Sequence, residues 1–217
     1  MPTWPGTARS YATRITGDEN SAIVEFADSP ELFGHEIRAI AAVDVRHGPF
    51  LREVDYWDGR RLGIAVVDAP RTFDLRSPTA HGEEHLAARS SPTLHRTLGR
   101  LRVALTAGDT AGLFAEDIVF EGLAPHTECT GASAIGAYVS QAHTRLPYGV
   151  GIIVRRTLGR GRGGGYEWIG DGFSGSHGII AVDLDAADRI TRFTTTWDAA
   201  RLDDAARATL LTDTLEH

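Results

Sequence analysis

The chain has no lysine: all 22 of its basic residues are arginine. That absence excludes a Schiff-base lysine and a P-loop lysine, and with them pyridoxal, class I aldolase and P-loop nucleotide chemistry. A GC-rich coding sequence accounts for it without any selected role. Cys129 is the only cysteine, so no disulfide can form within the chain, and cysteine-rich zinc or redox frameworks are ruled out. Long apolar runs are missing too. Nothing approaches the roughly 18 residues that a membrane span needs, and the opening MPTWPGTARSYATR lacks the apolar stretch of a signal peptide. With a formal charge of -7, the chain also lacks the basic excess that favours a general attraction to nucleic-acid phosphates. The expectation is a cytoplasmic protein with no membrane or nucleic-acid partner.

What is present is a 217-residue chain that is 42% hydrophobic, enough for a packed core without covalent staples. The closing Leu215-Glu216-His217 reads as the start of a purification tag and is set aside. The most informative feature is an internal repeat. AVDVRHGPFLREVDYWDGRRL runs from Ala42 to Leu62, and AVDLDAADRITRFTTTWDAARL from Ala181 to Leu202. With one residue of slack in the turn, Asp44 corresponds to Asp183, Trp57 to Trp197, Asp58 to Asp198 and Arg61 to Arg201. Each copy reads as a β-hairpin preceded by a further strand, SAIVEFAD in one case and GYEWIGDGF in the other.

Before the second copy the sequence turns helical. Ser91-Pro92 is an N-cap followed by a first-turn proline, and Leu94, Leu98, Leu101 and Leu105 then recur at helical spacing. Gly108-Asp109 should stop that helix. A short helix through Leu113 and Phe114, a strand over 118–122 and a helix from near Thr130 carrying Ile135, Tyr138, Val139 and Ala142 should follow. Strands are predicted over 150–158, 166–173, 179–184 and 190–197. GRGRGGG lacks the Lys-Ser/Thr pair of a phosphate loop and reads as a hairpin turn between the first two. The first copy has too few preceding residues for such helices. The predicted organisation is a strand-only partial copy over 1–62, a linker over 63–90 with a short helix around 83–89, and a complete unit over 91–214.

The segment ALTAGDTAGLFAEDIVFEGLAPHTECTGASAIGAYV and the closing YWD and TWD strands resemble the nuclear transport factor 2-like superfamily, in particular its SnoaL-like, polyketide cyclase-like members. The resemblance implies an α+β fold in which a curved antiparallel sheet wraps around helices to form a cone with an apolar pocket. It implies a small cofactor-independent cyclase, isomerase or dehydratase acting on a hydrophobic polyketide-like or terpenoid compound, or a non-catalytic binding or dimerisation module of the same fold. In ketosteroid isomerases of the superfamily the general base falls at the position of Gly122, and the oxyanion donors near Leu101 and Ile180. None of these can do that work. An Arg between two carboxylates, as in limonene epoxide hydrolases, is not evident.

By strand parity and the family alignment, the cone should be lined by Phe120, Tyr138, Tyr166, Trp168, Ile180, Val182, Phe193, Thr195 and Trp197. The same rings could equally be core packing. Candidate acid-base groups are His126 in the loop after the first strand, Asp171 at the GDG break, His177 and Tyr166. Asp171 either reaches the cavity or marks a bulge. Asp183 and Asp185 should be solvated beside a turn, and alternation turns Asp198 away from the cone. His81 and His85 have helical spacing but no third ligand, so no metal is expected, and no cofactor. Residues 9–62 are expected either to pack on the outer sheet face as a built-in half-partner, giving a pseudo-dimeric monomer, or to exchange between chains in a homodimer.

Overall fold

The structure is a computed structural model that describes residues 5–45, 50–59, 90–170 and 176–199, with Ala205 and Ala208. Asp171, His81, His85, Arg61, Arg201, residues 63–89 of the linker and the terminal tripeptide lie outside the described residues. In the first part, β1 (Ser10–Gly17), β2 (Ser21–Asp28), a one-turn helix α1 (Pro30–Phe33), β3 (Ile37–Val45) and β4 (Phe50–Trp57) form an antiparallel sheet in the order β1-β2-β3-β4. The second part runs α2 (Pro92–Ala107), β5 (Phe114–Gly122), β6 (Thr127–Thr130), α3 (Ala132–Ala142), β7 (Ile152–Arg160), β8 (Gly163–Gly170), β9 (Ser176–Leu184) and β10 (Ile190–Trp197). Its sheet order is β6-β5-β10-β9-β8-β7.

Local chemistry accounts for the helix boundaries. The Ser91 hydroxyl accepts the Leu94 N–H at 3.2 Å, Pro92 opens the helix where its missing N–H costs nothing, and Gly108 ends it in the left-handed region at φ 73°. The leucine stripe is the buried face: Leu94, Leu98, Leu101 and Leu105 all lie inside the cone. α3 contributes Ile135, Tyr138, Val139 and Ala142 to the same core.

Two sequence expectations are corrected. The segment around Leu113 and Phe114 is no helix; a turn at 110–113 leads straight into β5, which begins at Phe114 and buries Ile118 and Phe120 by two-residue alternation. The six-stranded sheet is also not wholly antiparallel, because β5 and β10, its second and third strands, run parallel, Phe120 opposite Phe193. GRGRGGG is a tight hairpin in which Arg160 pairs with Gly163. The third glycine of its GGG run meets a packing need: a Cβ on Gly165 would lie 1.7 Å from the Ile180 carbonyl oxygen and 2.8 Å from Ile23 Cδ1.

Alternation gives the six-stranded sheet two different faces. Tyr166, Trp168, Ile180, Val182, Leu184, Phe193 and Trp197 turn inward onto α2 and α3. Ile179 and Ala181 turn outward, where with Leu158 and Leu123 they meet Ile23, Ile40, Ala42 and Tyr56 of the four-stranded sheet. The N-terminal strands therefore lie on the back of the cone. No helix of the described residues is long and apolar enough to cross a membrane.

Candidate functional site

The inner face of the cone is a cluster of rings. Phe120 lies 4.9 Å from Phe193 and 5.3 Å from Tyr138, centroid to centroid. Tyr148 sits at the middle, 5.4 Å from Trp197, 6.2 Å from Phe193 and 6.5 Å from Trp168. These are ordinary contact separations for aromatic pairs. The structure thus brings together Phe120, Tyr138, Tyr166, Trp168, Ile180, Val182, Phe193 and Trp197 in one buried core. Thr195 is fully buried and donates its hydroxyl to the Ile179 carbonyl at 3.1 Å.

Three polar atoms in this cluster stand out. The Tyr166 hydroxyl and the Trp168 and Trp197 indole nitrogens are buried without a hydrogen-bond partner, a condition that native interiors rarely tolerate. The Tyr138 and Tyr148 hydroxyls face each other at 3.4 Å. Burial pushes the Tyr148 phenol well above its ordinary pKa, with the Tyr138 hydroxyl adding to the effect, and burial likewise raises Tyr166. Both therefore remain protonated at neutral pH and act as donors.

The charged groups are on the other side. Among the described residues the buried carboxylates are Glu25, Asp44, Glu121 and Glu167, and each faces an arginine between the two sheets. Glu167 accepts from Arg52 at 2.5 Å and from the Tyr56 hydroxyl at 2.6 Å. Asp44 accepts from Arg156 at 2.5 Å and lies 3.4 Å from Arg52. Glu121 joins Arg38 to Arg192, and Arg192 lies 3.7 Å from Glu25. Asp183, expected in solvent, is paired with Arg14.

His126 is exposed, adopts a positive φ of 56°, and borders a cleft of about 140 Å³ at the seam between the sheets with His35, Arg38, Asp58, Glu121 and Glu128. His177 stands edge-on to Tyr56 at 5.7 Å, also toward the seam. Neither histidine joins the inner ring cluster with Tyr166 and Trp168. Gly122 ends β5, where a Cβ would meet Pro125 Cγ at 2.9 Å. Among the described residues no group of three or more His, Cys, Asp or Glu is arranged to hold a metal ion. Tyr148 escaped the sequence analysis because it lies in the irregular LPYGV segment, outside any strand or helix period.

The geometry defines an α+β cone with an aromatic interior and a second sheet on its back. Its structural neighbours are nuclear transport factor 2-like, SnoaL-like and cystatin-like proteins. A protein of cystatin-like fold from Silicibacter pomeroyi is similar at 19% identity and TM-score 0.46, over 57% of this chain and 85% of that one. A steroid delta-isomerase from Pseudomonas aeruginosa is similar at 19% and 0.45, over 59% of this chain and 93% of its own. A SnoaL-like protein of unknown function from Burkholderia thailandensis is similar at 14% and 0.41, over 49% and 95%. At TM-scores below 0.5 these likenesses bring no activity to this chain. No protein-family model matches the chain, and no curated protein does.

Proposed function

We propose that the protein is a non-catalytic binding cone for a small, largely apolar ring compound carrying oxygen acceptors. The observation that carries this reading is the partition of polar groups. The buried carboxylates are held by arginines at the back of the sheet, whereas the inner face offers hydroxyl and indole donors and no carboxylate or imidazole among the described residues. Three unpartnered donors, on an inner face where the described residues include no carboxylate or imidazole, suit a ketone, ether or ester oxygen rather than a proton to be removed. Entry requires Tyr148 to give way, since its ring fills the middle of the cluster.

The test is a titration of the full chain with cyclic ketones and the matching hydrocarbons, read by tryptophan fluorescence. Ketones should bind more tightly than their hydrocarbons. Tyr166→Phe should weaken the ketones about 3- to 10-fold and leave the hydrocarbons unchanged, the loss of one hydrogen bond. Equal, negligible binding of both would make the rings plain core, and the protein an association module of the same fold. The orphan donors equally suit a substrate. If chromatography shows the ketone converted during incubation, the cofactor-independent cyclase, isomerase or dehydratase reading on polyketide-like or terpenoid compounds replaces ours.

A further inference from the structure

Four ion pairs between the two sheets are reciprocal. Arg14 on β1 pairs with Asp183 on β9, and Arg156 on β7 pairs with Asp44 on β3. Arg192 on β10 reaches Glu25 on β2, and Arg52 on β4 reaches Glu167 on β8. Exchanging β1-β2-β3-β4 for β7-β8-β9-β10 turns each pair into its mate. The backbone follows the same rule. β1 carries a register shift between Ala12 and Arg14 and sets Arg14 opposite Glu25; β7 carries one between Val154 and Arg156 and sets Arg156 opposite Glu167. Ile40 and Ala42 contribute to the apolar cluster between the sheets from one side, Ile179 and Ala181 from the other. The AVD alignment pairs Ala42 with Ala181, and Ile40 and Ile179 each stand two residues before them. Glu121 has no counterpart, because β5 has none in the four-stranded sheet.

A contact in which residue i meets j and the equivalent of j meets the equivalent of i is the signature of a twofold interface between like subunits. We infer that the back of the cone is such an interface and that its partner is built into the same chain. The four-stranded sheet is a tethered half-subunit that takes the place of a second copy and keeps the protein monomeric. This inference stands apart from the ligand reading and can fail or succeed without it.

A disulfide trap tests it. An ideal Cβ on Gly163 lies 3.6 Å from Thr16 Cβ, inside the roughly 3.5–4.5 Å that a disulfide needs. Thr16→Cys/Gly163→Cys is made in the full chain with Cys129→Ala and oxidised. The expected product is an internally crosslinked monomer of 23.4 kDa that migrates faster on a non-reducing gel. Crosslinked dimers would overturn the inference in favour of exchange between chains, and failure of the two thiols to join would overturn the docking itself. Light scattering of the unaltered chain gives an independent reading should the cysteine variant not fold. A constant monomer mass over a hundredfold range, about 0.1 to 10 mg/ml, is expected, and a dimer would refute the built-in partner.

Discussion

Removing the Arg52 guanidinium tests the sealed seam most directly. Its side chain is 5% exposed and that of Glu167 0%. In Arg52→Ala, Asp44 keeps Arg156, but Glu167 retains only the Tyr56 hydroxyl for a carboxylate that has no route to water. Breaking a buried ion pair from one side costs about 3–5 kcal/mol, a large share of the roughly 5–15 kcal/mol that holds a typical domain together. We expect the lower part of that range, because one hydrogen bond survives. The triple variant Arg52→Met/Tyr56→Phe/Glu167→Met removes every polar member of the pair at once and should cost less than about 1.5 kcal/mol, since apolar replacement of a whole buried pair is often neutral. The assay is urea unfolding at pH 7 followed by both fluorescence and circular dichroism, with coincident transitions as the check on two-state behaviour. A loss below about 1 kcal/mol for Arg52→Ala, the worth of an exposed pair, would mean that water reaches Glu167 and that the sheets do not close over it.

Two further outcomes follow from individual groups. Burial raises the Glu25 carboxyl above its ordinary pKa, only partly offset by Arg192 and Arg14. Its contribution to stability is therefore present below the unfolded value near about 4.3 and is lost as the pH rises through the folded value. Glu25→Gln, which cannot titrate, should gain stability relative to the parent between about pH 4 and pH 7 in a series of urea melts; a constant difference would refute this. Ser91→Ala, which removes the α2 cap and the hydroxyl bond to the Gly161 carbonyl at 3.1 Å, should lower stability by about 1 kcal/mol, and Ser91→Gly by less. Equal losses in the two would mean that the cap does not act as drawn.

Legibility in the sequence tracked the range of the interactions. α2 was legible because its cap, its leucine stripe and its stop glycine all act within one or two turns. The faces of β8, β9 and β10 were legible because alternation is a local rule, and it set Ile180 and Val182 inward and Asp198 off the cone. The parallel pairing of β5 with β10 was not, since nothing near Phe120 specifies Phe193 as its neighbour. Nor was the LFAED segment, whose helical composition is overridden by burial of Ile118 and Phe120 in the sheet. Asp183 looks solvated beside its turn until the sheet that carries Arg14 is laid over it. Arg52 and Glu167 stand 115 positions apart, and only the repeat, read through to Arg192 and Glu25, could have paired them.

The parallel junction of β5 and β10 also orders events during synthesis. β1 to β4 are consecutive in the chain and pair in that order, so they can form as soon as they leave the ribosome, whereas β5 must wait for residues 190–197, the last strand of its sheet. Contacts so distant along the chain form slowly because the loop between them must close first. Throughout that interval Ile23, Ile40, Ala42 and Tyr56 have no surface to cover them. The growing chain thus carries a finished sheet with an apolar face open to other nascent copies, the period in which chaperone binding or aggregation competes with folding.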